Sequence, residues 1–396
     1  YFSGSLGDLI AVKEAHPELA VLRKDFLLDV EDIEVSHRAG ADAVLLIASI
    51  LTGAELAELH GAAGELGMAA LVEVHDQPDI EKARSVRPDL VGINARDLTT
   101  FAVDLLTPMR LRHLVDWKNR TVFESGVFTR EHGRLVASGG FAGLLVGEAV
   151  VREPERIPEI VSGYQAPAAG VAAVHPTGAF WPQLAGRKRP LVKICGITNR
   201  EDAELAVALG ADILGFVLAD SPRRTTAEAV RELADLDVLK AAVVVSGGKH
   251  GPLLPEVQAL LREGAVDVIQ FHGDEEPADC ESGAFPYYRA VRLGSTDDVP
   301  QMVRFGSPRV LVDARARHAY GGTGKRLSAE LAAAAAEQGP LWLAGGINDL
   351  NVGKLIRACR PELIDASSGL EREPGRKDHA RLRRFFRVIE RETNNG

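Results

Sequence analysis

One phrase recurs along this chain: a helix-like stretch ends at a small residue and a glycine, then gives way to a short apolar run. It reads S-H-R-A-G-A-D-A-V-L-L-I at 36–47, A-L-G-A-D-I-L-G-F-V at 208–217 and R-E-G-A-V-D-V-I-Q-F at 262–271. Glycine stops a helix because it enters the left-handed conformation without a steric penalty. An apolar run with no polar alternation is a strand covered on both faces. Such strands, alternating with helical segments of about ten to fifteen residues, specify βα units and a parallel sheet. The fold class is therefore α/β.

Counting the runs gives the organisation. The second half holds eight: L-V-K-I-C-G-I, I-L-G-F-V-L, K-A-A-V-V-V, V-I-Q-F-H-G, Y-R-A-V-R, R-V-L-V-D-A, L-W-L-A-G-G and L-I-D-A-S-S-G. Eight is what a closed (β/α)8 TIM barrel requires. The first half holds six: A-V-L-R-K-D-F, A-V-L-L-I-A-S, A-A-L-V-E-V, L-V-G-I-N-A, T-V-F-E-S-G and G-L-L-V-G-E-A. Residues 164–189 lose all periodicity and gather Pro, Gly and Ala, the composition of a linker. The expected layout is two barrels in tandem, 1–163 with six of the eight strands and 190–396 complete, joined by 164–189. A length of 396 residues suits two domains.

Composition excludes several functions. The net charge of −10 is spread along the chain, which argues against nucleic acid, and no apolar stretch approaches the roughly 20 residues of a membrane span. Cys195, Cys280 and Cys359 are odd in number and without paired spacing, which speaks against a disulfide framework or a zinc site. A reducing cytoplasm fits them best.

In a βα barrel the chemistry sits at the C-terminal ends of the strands, so polar residues closing apolar runs are the candidates. In the second half these are Cys195 and Asp313, with Gly345-Gly346 and Ser367-Ser368-Gly369 after the last two strands, where barrels of this kind often hold phosphate. Thr198-Asn199 marks a helix start behind Cys195. Y-G-G-T-G-K at 320–325 is a Gly-rich loop able to close over a ligand but lacks P-loop spacing. Arg223 and His272 follow strands two and four of this half. Each has a bland reading beside it: a core cysteine, a loop-capping aspartate, solvated surface residues.

In order, K-I-C-G-I-T, G-F-V-(x)4-S-P-R, Q-x-H-G-D-E, V-L-V-D-(x)7-G-G-T-G-K, L-A-G-G-I, I-D-A-S-S-G-L-E and P-G-R-K-D-H resemble the phosphoribosylanthranilate isomerase family over 190 to about 392. The resemblance implies an Amadori rearrangement of N-(5-phosphoribosyl)anthranilate, with Cys195 as general base and Asp313 as general acid. The acid needs a raised pKa and the cysteine an accessible thiolate. Strand three departs from the family pattern at A-V-V-V-S-G-G-K-H, which concerns packing rather than chemistry.

The same rule selects, in the first half, Lys24, Glu73, Asn94, Arg96 and Glu124-Ser125-Gly126, with Gly147 after the last strand. Singly, a salt-bridged barrel residue explains each; together they resemble indole-3-glycerol-phosphate synthase over 1 to about 163. That family closes an indole ring with loss of carbon dioxide and water. By resemblance Lys24 is proton donor, Glu73 proton acceptor, Asn94 and Glu124 position substrate, Arg96 and Ser125 contact it, and Gly126 and Gly147 cradle its phosphate. Glu148 replaces the Ser often found there. The family's Glu-x-Lys signature and Ser-Pro-Ser type turn have no counterpart in residues 1–30. The opening Y-F-S-G-S then matches the loop after the family's second strand, and the synthase half is expected to be impaired in a chain that begins there.

The combined expectation is a bifunctional enzyme of tryptophan biosynthesis acting on small phosphosugar–anthranilate substrates, with no cofactor implied. Two rivals stand beside it. One is a monofunctional isomerase with a non-catalytic phosphosugar-binding or scaffolding first half. The other is a histidine-pathway isomerase, which would use a carboxylate pair in place of Cys195 and Asp313.

Overall fold

The computed structural model describes residues 4–165, 180–184, 190–247, 251–280, 285–313 and 329–394. The 320–325 loop lies outside them. The chain divides into two compact units, one of Tyr1–Val127 with Gly140–Glu155, the other of Phe128–Gly139 with Arg156–Gly396.

In the first unit six strands form one parallel sheet in sequence order: β1 (Leu22–Arg23), β2 (Ala43–Ile47), β3 (Ala69–Val74), β4 (Leu90–Asn94), β5 (Arg120–Glu124) and β6 (Gly143–Leu145). All six apolar runs counted in the sequence are strands. The glycines of the recurring phrase behave as expected: Gly40, Gly210 and Gly264 have φ of +88°, +96° and +72°. Helix starts are equally local. Asp29, Thr52, Asp76, Asn199 and Thr226 each accept a hydrogen bond from the backbone N–H three residues on, satisfying a donor that the first turn leaves open. One face of this sheet carries Leu45, Ile47 and Leu71, with Leu22, Leu90, Val122 and Leu145 packed against them. Continuing two residues further along the same face brings Leu71 to Glu73 and Val122 to Glu124.

The second unit holds a closed eight-stranded barrel, β7 (Leu191–Cys195), β8 (Ile213–Val217), β9 (Leu239–Val244), β10 (Val268–Phe271), β11 (Tyr287–Arg292), β12 (Val310–Asp313), β13 (Trp342–Ala344) and β14 (Leu363–Ala366), in which β14 pairs with β7. Alternation sorts its side chains. Val192, Ile194, Leu214, Phe216, Ile269, Val312 and Ile364 join the helices in the main apolar core. The intervening positions, Lys193, Cys195, Gln270, Tyr288, Asp313 and Asp365, turn into the barrel and are all buried. Polar side chains therefore stand inside the barrel among apolar ones such as Leu311 and Leu363, which uninterrupted apolar runs conceal.

Within the expected linker, Phe180–Leu184 is a short helix whose Phe180, Trp181 and Leu184 are buried. Phe180 stacks on Tyr288 at 6.2 Å between ring centroids, and Trp181 packs on Trp342 at 5.8 Å. Because Tyr288 and Trp342 stand near the starts of their strands, this helix packs at the end of the barrel opposite the strand C-termini.

Candidate active sites

In the first unit, strand ends bring four of the selected residues into one contact group. The Lys24 ammonium lies 2.9 Å from Glu73 Oε2 and 3.3 Å from Glu124 Oε2. Asn94 Nδ2 donates to Glu73 Oε1 at 3.1 Å, while Asn94 Oδ1 accepts from the Arg96 backbone N–H. Glu73 and Glu124 are 1 % exposed and Lys24 is half-exposed, so the charge pair is dry at its acid end and wet at its amine end. Gly92 makes room: a Cβ there would lie 1.8 Å from Glu124 Oε1.

Sequence reasoning missed His75, one turn of the pleat beyond Glu73. Its Nε2 lies 3.0 Å from Glu73 Oε1 and its Nδ1 3.5 Å from Asp79 Oδ2. Burial disfavours its charge, but the Asp79 and Glu73 carboxylates outweigh that and raise its pKa to about 9, so it is a cation at neutrality. Burial alone would push Glu73 up, yet His75 and Lys24 hold it well below the usual carboxylate range. Glu124 goes the other way: burial first, then the neighbouring Glu73 charge, raise its pKa to about 8. Two carboxylates this close do not both ionise. The pair holds one proton, on Glu124, and Glu124 Oε1 is buried without a hydrogen-bond partner, as a protonated carboxyl tolerates better than an ionised one.

This has a measurable consequence. A carboxyl whose folded pKa is raised costs no stability below its unfolded pKa, where both states are protonated. Stability then falls as pH rises from there to about 8, because only the unfolded state ionises. Glu124→Gln stays neutral throughout. The variant is expected to match the parent below about pH 4 and to exceed it near pH 8 by on the order of 4 kcal/mol, read from urea denaturation at both pH values. A less stable variant at the higher pH would place the shared proton elsewhere.

The remaining first-unit candidates surround this group. The Arg96 guanidinium donates to Glu148 Oε2 at 3.0 Å and to the Phe101 carbonyl at 3.2 Å, so the residue standing where the resemblance leads one to expect Ser is its anchor. Ser125 and Gly126 both take positive φ, 70° and 75°, and a Cβ on Gly126 would strike Val103 at 2.5 Å. Gly147 precedes the short helix Glu148–Arg152 with open space around it.

In the second unit Cys195 ends β7 and Asp313 ends β12, three strands apart around the eight-stranded barrel, so they face each other across its mouth. His272, just beyond β10, places Nε2 3.4 Å from Asp313 Oδ2. Glycine geometry shows the other elements converging. A Cβ on Gly196 would meet Arg223 Cδ at 2.9 Å and Ser367 Oγ at 3.2 Å, and one on Gly369 would meet the Ile347 carbonyl at 2.1 Å. The Gly345-Gly346 turn, at φ 97° and 64°, and the Ser367-Ser368-Gly369 turn therefore lie against each other beside Cys195.

Arg223 is held by Glu371, its Nε 2.9 Å and 3.0 Å from the two carboxylate oxygens and its Nη2 2.8 Å from Oε2. Glu371 in turn accepts from Lys377 Nζ at 3.1 Å, and Lys377 also donates to the Cys195 carbonyl at 2.7 Å. The lysine of P-G-R-K-D-H thus ties the cysteine's backbone to the arginine's anchor. A second fully buried lysine, Lys193, bonds Asp365 at 2.6 Å. A Cβ on Gly215 would lie 2.8 Å from Cys195 Sγ and 3.0 Å from Lys193 Nζ, so the glycine admits both.

Burial pushes the Cys195 pKa up, and the Lys193 charge beside it only partly reverses the shift. Cys195 rests as a thiol.

Among the described residues no His, Cys, Asp and Glu group has the arrangement of a metal site, and no helix is long and apolar enough to cross a membrane. The family model for indole-3-glycerol phosphate synthase matches residues 1–160, and that for N-(5'-phosphoribosyl)anthranilate isomerase matches 192–388. The tryptophan biosynthesis protein TRP1 of Phytophthora nicotianae is 30% identical, over 98% of this chain and 83% of its own length. The protein TrpCF of Vibrio cholerae is 27% identical over 98% of this chain and 77% of its own. The N-(5'-phosphoribosyl)anthranilate isomerase of Geobacter metallireducens is 39% identical over half of the chain and 96% of its own. Among solved structures, phosphoribosyl anthranilate isomerase from Thermotoga maritima aligns with 51% of this chain and 98% of its own, at 31% identity and a TM-score of 0.45. With both family models matched in tandem and a tryptophan biosynthesis protein 30% identical over 83% of its own length, this chain belongs to the bifunctional indole-3-glycerol-phosphate synthase/phosphoribosylanthranilate isomerase family of tryptophan biosynthesis.

Proposed function

We propose that residues 190–396 perform the isomerisation with Cys195 and Asp313, that residues 1–163 perform the ring closure with Lys24, Glu73, Asn94 and Glu124, and that 164–189 join them. The observation that carries the first assignment is the placement of Cys195 and Asp313 at facing strand ends beside two adjoining phosphate-type turns. Asp313 delivers a proton to the ribose ring oxygen, and the C1–O bond opens to an iminium. Cys195 then takes the C2 proton, and the enolamine ketonises. The buried thiol is no base at rest; the iminium cation formed beside it favours its ionisation, and the thiol proton leaves to solvent at the strand ends before the C2 proton is taken. Gly345, Gly346, Ser367, Ser368 and Gly369 take the phosphate through backbone N–H groups and hydroxyls.

Arg223, fixed by Glu371, recognises the anthranilate carboxylate. Arg223→Lys is expected to raise the isomerase KM about tenfold with kcat nearly unchanged, since a lysine cannot reproduce the fork. An unaltered KM in steady-state assays would sink that role.

In the first unit the charge distribution supports the roles carried by resemblance. Glu73, the ionised member of the pair, is the one able to accept a proton; Glu124 is still protonated and can only donate or position. Lys24 supplies positive charge and a proton to the departing hydroxyl. Arg96 and Ser125 contact the substrate, and Gly126 and Gly147 hold its phosphate. Free Cys195, Cys280 and Cys359 support a reducing, cytoplasmic setting.

A further inference from the structure

Asp313 is reached from inside the barrel by a continuous set of polar contacts that the proposed chemistry does not use. Tyr288, on β11 and fully buried, has its hydroxyl 3.0 Å from Gln270 Oε1. Gln270, on β10 and 1 % exposed, has Nε2 3.0 Å from His272 Nδ1. His272 Nε2 is 3.4 Å from Asp313 Oδ2.

The direction of each hydrogen bond follows from the first. The buried Tyr288 hydroxyl donates its proton to Gln270 Oε1. That fixes the amide with its carbonyl toward Tyr288 and its NH2 toward His272. Nδ1 must then accept, and a neutral imidazole carries its proton on Nε2, the nitrogen facing Asp313.

We propose that Tyr288 and Gln270 are positioning residues of the isomerase: they hold His272 as the Nε2–H tautomer, which donates to Asp313 Oδ2 and leaves the transferable proton on Oδ1. The inference rests on Asp313 being the general acid. It adds that the acid's proton is placed on one oxygen by a phenol two side chains away.

The tautomer can be read directly from nitrogen chemical shifts in protein labelled with 15N-histidine, with the His272 signal identified by its loss in His272→Asn. In mildly alkaline, substrate-free buffer the parent is expected to show Nε2 protonated. Gln270→Glu offers only acceptors, so it should reverse the tautomer and lower kcat about 100-fold with KM within about twofold. Tyr288→Phe keeps the ring packing on Phe180 and Trp342 and should mix the tautomers and lower kcat about tenfold. Nδ1 protonated in the parent, or a Tyr288→Phe protein with parental tautomer and kcat, would overturn the proposal. Should Gln270→Glu fail to fold, Tyr288→Phe alone decides. Full turnover in a folded Asp313→Asn protein would instead remove the acid on which the inference rests, an outcome separable because the tautomer is read without substrate.

Discussion

Cys195→Ala is expected to lower isomerase turnover by about a thousandfold to ten-thousandfold while the protein stays folded. The substitution removes one sulfur from a residue 8 % exposed at the end of β7, and its backbone remains held by Lys377 at 2.7 Å. Packing loss is therefore small, and KM should change little because the phosphate turns and Arg223 are untouched. Cys195→Ser should recover almost none of the rate, since a hydroxyl in the same burial is harder to ionise than a thiol. Turnover within tenfold of the parent would move the base to another residue.

Lys193→Met is expected to cost about 3–5 kcal/mol of the second unit's stability. Lys193 is fully buried and the carboxylate it meets, Asp365 at 2.6 Å, is nearly so. Removing the cation leaves that carboxylate inside the barrel with its attraction gone and its desolvation intact. Replacing both, as Lys193→Met with Asp365→Leu, should return most of the loss, because two apolar side chains need no pairing. Urea denaturation of the two variants gives the comparison, and a single variant within about 1 kcal/mol of the parent would show the pair to be dispensable.

How much of this was legible in the sequence depends on which way a residue faces. Cys195, Asp313, Glu73, Asn94 and Glu124 were found because each is a polar residue closing or nearly closing an apolar run. A strand buried on both faces has no hydrophobic alternation to reveal which residues point inward. Lys193, Gln270 and Tyr288 therefore passed as members of runs, although each lies inside the barrel. His75 sat one residue past the last apolar position of β3, and its closeness to Glu73 and Asp79 is a matter of the turn that follows. Glu371 and Lys377 were quoted as part of motifs, yet their link between Arg223 and Cys195 spans up to 182 residues of sequence. The helix Phe180–Leu184 was hidden by the Pro, Gly and Ala around it; F-W-P-Q-L, three large apolar residues in five, was the available signal.

The aromatic packing at the base of the second barrel also determines what light can report. The chain has three tryptophans. Trp181 and Trp342 are in contact in the second unit, while Trp117 belongs to the first, its indole N–H donating to the Pro88 carbonyl at 3.0 Å and its ring faced by Arg84. Two emitters therefore sit in a dry, aromatic setting and one beside a guanidinium. Intrinsic fluorescence of Trp117→Phe follows the barrel alone, and that of a chain with Trp181 and Trp342 both replaced by Phe follows the open sheet alone.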